Sequence, residues 1–184
     1  QDGLTFFYRA AALAHINRFI ALRRLDHGPF TFEKPRKIAF FPGTFDPFTL
    51  SHKGIVHAIR DLGFEVYLAV DEFSWSKKAQ PHLIRRQIVN LSIAGDFHVH
   101  LFPDDIPVNI ANPADLRRLV NLFPGQQVYI VAGSDVVANA SAYKTEPAPF
   151  SIRRMNHVIF RRAGEAELPA PLPITGQVIQ LQLP

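Results

Sequence analysis

From Lys37 onward, short apolar runs typical of buried strands alternate with segments that carry apolar residues at helical spacing. Such alternation predicts parallel strands, because parallel neighbours need a crossover connection long enough to return along the sheet. In folds of this kind, ligands bind at the carboxyl ends of the strands, near the point where the strand order reverses. The turn after the first strand is therefore the first place to look for a site.

The apolar runs and helical patterns define six strands and four helices in this part of the chain. Strands are expected at 38–41, 65–70, 97–101, 128–132, 157–160 and 178–181. Helices are expected at 52–62, 82–94 and 134–142, and a further helix is expected to start at Pro113, after an Asn112 cap. The expected fold is α/β: a Rossmann-like, doubly wound, mainly parallel sheet with helices on both faces. Residues 164–176 are expected to form an extended surface loop.

A separate helical pattern precedes the alternating region, at residues 4–25. Its apolar residues recur at helical spacing: Phe6, Ala10, Leu13, Ile16 and Ile20. An amphipathic helix normally packs against a core or links domains, although a helix lying on a membrane surface is an alternative. We expect two regions: an N-terminal helix and linker over 1–35, and the α/β domain over 36–184.

The bulk composition restricts the function classes. A chain of 184 residues with 47% hydrophobic and 20% charged residues is an ordinary globular protein with one main core. It has no cysteine, which excludes disulfides and thiolate metal sites and fits a cytoplasmic location. No apolar run has the roughly 18 residues of a membrane span. The net charge of +4 comes from scattered basic pairs, which suits anionic substrates; no nucleic-acid-binding signature accompanies them.

The turn after the first strand carries the most informative pattern, Gly43-Thr44-Phe45-Asp46-Pro47 followed by His52. Gly43 lets the backbone approach a ligand, Thr44 adds a hydroxyl group, and His52 falls at a helix start, where free N–H groups favour an anion. Thr49 lies three residues before His52, so both side chains can face one phosphate. Alternatively, the segment is a structural corner in which Asp46 caps the helix and His52 makes a structural hydrogen bond.

The segment Gly43–His52 resembles the signature of the HxGH/TxGH (cytidylyltransferase-like) nucleotidyltransferases, which include the nicotinate-mononucleotide and phosphopantetheine adenylyltransferases. Ser76-Lys77-Lys78 and then Arg86 are similar to the loop and helix start of the phosphopantetheine enzymes. Gly133-Ser134-Asp135 is similar to the G-x-D of the nicotinate-mononucleotide enzymes. The resemblance covers 37–162 and leaves out the N-terminal helix.

The resemblance implies transfer of a nucleoside monophosphate from ATP or CTP, with Mg²⁺, to a phosphorylated acceptor, with pyrophosphate as the leaving group. The acceptor phosphate attacks the α-phosphate directly. His52 and Thr49 would bind the nucleotide phosphates, Thr44 would orient the attacking phosphate, and Lys77 would stabilise the transition state from the opposite side. The remaining nucleotide-binding residues implied are Gly43, Phe45, Asp46, Arg86, Gly133, Ser134 and Asp135. No protein metal ligand is expected.

Each implied residue has a structural alternative, and the sequence departs from the pattern at several places. Lys77 can be solvated, Arg86 can pair with an acid on its own helix, and Asp135 can cap a helix. Ser51 replaces the glycine of the motif. The nicotinate-mononucleotide branch continues into an I-S-S-T-x-x-R segment, whereas this sequence stops at Pro184, so a truncated domain is expected.

These departures leave a second hypothesis open. The chain could instead be a catalytically weak nucleotide-binding module, regulatory or scaffolding, within a larger protein. Further domains and a homo-oligomer are both compatible with the sequence.

Overall fold

The computed structural model describes residues 8–18, 37–45, 47–70, 81–145, 148–165 and 167–183. The strands are β1 (Lys37–Gly43), β2 (Phe64–Val70), β3 (Val99–Leu101), β4 (Val128–Gly133), β5 (Asn156–Arg162) and β6 (Val178–Leu183). The helices are α1 (8–18), α2 (Leu50–Asp61), α3 (His82–Ile93), α4 (Pro113–Asn121) and α5 (Ser134–Asn139), with 3₁₀ turns at Ser141–Tyr143 and Ile152–Arg154.

The six strands form one sheet in the order β3-β2-β1-β4-β5-β6, and every neighbouring pair is parallel. The order runs in one direction from β1 to β3 and in the other from β4 to β6, so β1 and β4 flank the reversal point. The predicted α/β, doubly wound fold is therefore confirmed.

Both faces of the sheet are covered, as the continuous apolar strands require. Alternate residues of β1 point to opposite sides: Ala39 and Phe41 join the core under α2 and α3, whereas Ile38 and Phe40 join the core under α4 and α5. The helices α2 and α5 thus leave the carboxyl ends of β1 and β4 towards opposite faces. That divergence opens a cleft between the two strand ends.

Local chemistry accounts for most element boundaries. The Asn112 side chain accepts from the Ala114 N–H at 3.0 Å, and Pro113 occupies the first turn, so the predicted start of α4 is confirmed. The third strand begins only at Val99, because His98 has a φ of 63°. Helix α5 ends at Asn139, earlier than predicted, because Ala140 is extended.

Helix α1 contacts the body through a side other than its predicted apolar stripe. The ring of His15 stacks on Phe97 with ring centroids 6.0 Å apart, and the charge of Arg86 acts on the Tyr8 hydroxyl. Leu13 and Ile16 are 60% and 55% exposed, so the stripe does not pack into the core at these two positions, and the domain-linking role stays a prediction. Phe6 and Ile20 lie outside the described residues. Within the described ranges, no helix combines the length and hydrophobicity of a membrane span.

Candidate functional site

A cavity of about 220 Å³ lies at the reversal point, between the carboxyl ends of β1 and β4. It is lined by Phe41, Pro42, Gly43, Thr44, Phe45, His52, Ile110, Val131, Ala132, Gly133, Val136 and Phe160. The structure therefore brings together both glycine turns that the sequence singled out, together with His52. Apolar and aromatic side chains form most of the wall, while His52 and the two turns supply the polar groups.

The glycine of the first turn is required by an aromatic ring. A Cβ atom on Gly43 would lie 2.9 Å from Cζ of Phe45, so only glycine lets that ring fold back over the end of β1. Phe45 has a φ of 48° and is 3% exposed, an uncommon backbone conformation for a bulky residue. The Phe45 side chain is part of the core as well as of the cavity wall. The sequence pattern predicts that Gly43 lets the backbone approach a ligand. The packing of the Phe45 ring against Gly43 is a second reason why this position is glycine.

Thr49 and His52 form a reciprocal cap at the start of α2. The His52 N–H donates to Oγ1 of Thr49 at 3.4 Å, and the Thr49 N–H donates to Nδ1 of His52 at 3.0 Å. Here histidine takes the place that glutamate or glutamine holds in the usual capping box. Because Nδ1 accepts a backbone hydrogen bond, the ring proton of neutral His52 is on Nε2. The structural and functional interpretations of His52 are therefore compatible.

Aromatic rings hold the imidazole of His52 in place. Phe48 stacks on it with ring centroids 5.5 Å apart, and Phe45 meets it edge-on at 5.4 Å. Burial lowers the pKa of His52, and the nearby positive charge of Arg162 lowers it further. Both effects favour the neutral imidazole with its proton on Nε2.

The second turn lies directly across the cavity. Gly133 ends β4, and a Cβ atom there would lie 3.2 Å from the ring of Phe160, so a side chain would require that ring to shift by a few tenths of an ångström. Ser134 is fully buried, and its hydroxyl donates to Oε2 of Glu165 at 3.4 Å. Asp135 is exposed in the first turn of α5. Gly133 lines the site, whereas the Ser134 side chain faces the segment that follows β5.

The remaining predicted residues are not part of this cavity or lie outside the described residues. Arg86 donates to the Phe102 carbonyl at 2.9 Å and lies 3.8 Å from Asp104, beyond the end of β3. Its partner is therefore not an acid on its own helix. Asp46 and Lys77 are outside the described residues.

Two arginines near the site were missed by the sequence analysis. Arg85 is 2% exposed and donates from Nη1 to the Thr44 carbonyl at 2.8 Å. Arg162 ends β5, with its guanidinium 6.0 Å from the centre of the Phe160 ring; its buried Nε has no hydrogen-bond partner within the described part of the chain. Helical spacing could have identified Arg85, which falls four residues before the buried Val89. No local pattern identifies Arg162.

The described residues contain no cluster of three or more histidine, aspartate or glutamate side chains able to hold a metal ion. The donors that the site does offer are N–H, hydroxyl and guanidinium groups. These groups bind the oxygens of an anion rather than a cation.

No protein-family model matches the sequence, and no curated protein matches it either. Solved structures do match. Plasmodium falciparum nicotinic acid mononucleotide adenylyltransferase complexed with NaAD aligns with a TM-score of 0.64 and 16% identity, over 82% of this chain and 76% of that enzyme. The same enzyme complexed with APC gives a TM-score of 0.61 and 15% identity over the same shares.

A Vibrio parahaemolyticus protein, provisionally assigned as a nicotinate-nucleotide adenylyltransferase, aligns with a TM-score of 0.52 and 22% identity. That alignment covers 68% of this chain and 73% of the other. The chain therefore has the fold of the nicotinate-mononucleotide adenylyltransferases, which agrees with the nucleotidyltransferase resemblance. At these identities the comparison establishes the fold, and function must be argued from the site.

Proposed function

We propose that this chain is a nucleotidyltransferase that transfers a nucleoside monophosphate from ATP, or from CTP, to a phosphorylated acceptor and releases pyrophosphate. One observation carries the proposal. The cleft at the reversal point of the sheet is lined by Gly43, Thr44, His52 and Gly133, four of the residues that the resemblance implies, whereas Thr49 caps α2 and is not among the lining residues. Its fold matches enzymes of this activity.

The start of α2 is the proposed binding site for the nucleotide phosphates. The positive end of the helix dipole favours an anion at this first turn, and the Thr49 cap holds the turn in place. His52 adds an Nε2–H donor on a ring that two phenylalanines fix. A neutral donor held in place needs no reorganisation as charge develops on the phosphates.

The cavity is smaller than a whole nucleoside triphosphate requires, since ligand pockets commonly measure about 300–1,000 Å³. We therefore assign the cavity to the nucleoside end of the donor, against the apolar walls of Ile110, Val136 and Phe160. The phosphates would lie outside it, along the first turn of α2. Asp135, exposed in the first turn of α5, would meet a ribose hydroxyl.

The reaction needs positioning and charge stabilisation rather than a nucleophilic side chain. An oxygen of the acceptor phosphate bonds to the α-phosphorus while the bond to the pyrophosphate oxygen breaks. Thr44 would orient the attacking phosphate, Lys77 would stabilise the α-phosphate from the far side, and Arg162 would meet the negative charge beside His52. Magnesium bound to the nucleotide would neutralise phosphate charge.

Within this activity, we prefer nicotinate or nicotinamide mononucleotide as the acceptor. The structural neighbours that support this choice are a nicotinic acid mononucleotide adenylyltransferase complexed with NaAD and the same enzyme complexed with APC. The G-x-D pattern at Gly133–Asp135 supports the same branch. ATP is the corresponding donor.

A nucleotide-binding module with weak catalysis is the second candidate. Ser51 favours it, because this residue lies in the first turn of α2, where the motif has glycine and where the phosphates would approach. A side chain there competes for space with a triphosphate. The exposed Leu13 and Ile16 of α1 are compatible with attachment to a larger protein.

A pyrophosphate-release screen that crosses ATP and CTP with phosphorylated acceptors separates the two candidates. Release with one donor–acceptor pair supports the enzyme, whereas ATP binding without release across the panel supports the binding module. In the active pair, His52→Ala is expected to lower kcat about 10²- to 10³-fold, because it removes a preorganised donor.

The matched control is His57→Ala on the same helix. His57 lies 3.1 Å from Asp96 and takes no part in the cavity. This variant is expected to keep nearly full turnover. Equal activity of the His52 variant and the wild type would rule out the assigned role of His52.

A further inference from the structure

A buried arginine on α3 hydrogen-bonds to the first turn and is not among the residues that line the cavity. The inward-facing residues of α3 are Arg85, Val89 and Ile93, so the arginine occupies a core position at the end of α3 that lies nearest the site. It is 2% exposed. Arginine is rarely buried to this extent unless its guanidinium is hydrogen-bonded, because removing the charge from water is costly.

One partner of this guanidinium is the backbone of the motif itself. Nη1 of Arg85 donates to the Thr44 carbonyl at 2.8 Å, across 41 positions of sequence. A hydrogen bond from an ionised donor in a buried setting is stronger than a neutral one. The bond therefore anchors the turn to α3 at the residue between Gly43 and Phe45.

The geometry of a peptide group makes this anchor directional. The Thr44 carbonyl and the Phe45 N–H belong to one planar trans peptide group and point in opposite directions. Fixing the carbonyl towards Arg85 turns the Phe45 N–H away from α3. It also supports the left-handed φ of 48° at Phe45, an uncommon conformation that persists only where the surroundings enforce it.

We propose that Arg85 is a positioning residue of the site: by holding the Thr44 carbonyl, it fixes the Thr44–Phe45 peptide in the orientation that binds and aligns the reacting phosphates. The inference rests on the proposed nucleotidyl transfer for its catalytic consequence, and on geometry alone for its effect on the turn. Arg85 itself does not touch the substrate.

Arg86 is the natural control, because it is the neighbouring residue on the same helix. Its guanidinium binds the Phe102 carbonyl and lies near Asp104, away from the motif. Loss of either arginine removes one positive charge from α3. Only the loss of Arg85 should release the turn.

The test compares Arg85→Gln, Arg85→Lys and Arg86→Gln by NMR and kinetics. Without nucleotide, the amide signals of Thr44 and Phe45 should move in Arg85→Gln and stay in place in Arg86→Gln. In turnover, Arg85→Gln should lose about 10- to 100-fold in kcat with little change in the KM for the nucleotide, since misalignment affects the transition state most. Arg85→Lys, which keeps a charged donor on a long stem, should recover part of the loss.

Two results would overturn the proposal: unmoved Thr44 and Phe45 signals in a folded Arg85→Gln protein, or a kcat of Arg85→Gln equal to that of the wild type. If Arg85→Gln fails to fold, Arg85→Lys carries the same comparison. A wild-type protein that releases no pyrophosphate contradicts the proposed function. The amide signals then still decide whether Arg85 holds the turn.

Discussion

The imidazole of His52 serves the helix and the site at once. One ring nitrogen completes the cap of α2 with Thr49, and the other presents a proton on the opposite edge of the ring. Because the cap uses Nδ1 as an acceptor, protonation of that nitrogen would break the cap. The neutral ring is thus the form that suits both roles, and its lowered pKa favours that form at neutral pH.

Replacing Arg162 by glutamine is expected to raise the pKa of His52. Burial is the larger cause of the lowered pKa and would remain, but the repulsion from the neighbouring guanidinium would be lost. An NMR titration of the His52 ring measures the change. Arg161→Gln is the control, because Arg161 is engaged with the Glu165 carbonyl. A His52 pKa that is unchanged in Arg162→Gln would show that the two groups do not interact.

At the scale of elements, the connection from β1 to α2 is a tightly packed corner. The ring of Phe45 folds onto Gly43, contacts Phe41 at 5.3 Å and meets Phe48 at 5.5 Å. The start of the helix is capped by Thr49, so both sides of the corner are held. A rigid corner of this kind is what a phosphate site needs, because misplacement of about 1 Å is enough to slow such reactions by about 10²-fold.

Gly43→Ala is expected to destabilise the protein by about 1–3 kcal/mol and to distort the corner, because the new Cβ atom would overlap the Phe45 ring. Gly54→Ala is the matched control inside α2. Among the described residues, apart from the neighbouring backbone of α2 itself, nothing lies within 4 Å of a Cβ atom there, and alanine should stabilise the helix by about 0.5–1 kcal/mol. Urea unfolding of both variants measures the difference. Similar effects of the two substitutions would contradict the packing argument.

At the scale of the whole molecule, the far end of β5 contains a buried polar pair that ties the sheet to the segment after α5. His157 is fully buried; its Nδ1–H donates to the Met155 carbonyl at 2.7 Å, and its Nε2 accepts from the Tyr143 hydroxyl at 2.9 Å. Burial lowers the pKa of His157 to about 4 and raises that of Tyr143. Both groups are therefore neutral in the folded protein at neutral pH.

The free energy of unfolding is expected to fall as the pH drops from about 6.5 to about 4. In that range the unfolded chain protonates His157 while the folded protein does not, so protons favour unfolding. The full loss from this residue is about 3 kcal/mol and is complete below pH 4. Urea unfolding of the wild type and of His157→Gln across this range measures it. The same pH slope in both proteins would exclude His157 as the cause.

The sequence predicts more of the fold than of the site. The six strands, the main helices and the start of α4 followed from periodicity and capping, which are local properties. Leu13 and Ile16 show where periodicity fails: it identifies an apolar stripe but not what covers it. The catalytic roles of Thr44, Thr49, His52 and Lys77 stay predictions.

The sequence by itself determined the alternation of strands and helices, the cap at Asn112 and the motif from Gly43 to His52, because each depends on residues that are close along the chain. Only the tertiary structure decided that Gly133 faces Gly43 across a cavity, that Arg85 rather than Arg86 reaches the motif, and that the charge of Arg162 acts on His52. These relations join residues more than 40 positions apart. They depend on strand order and helix rotation, which only the packing of the complete core determines.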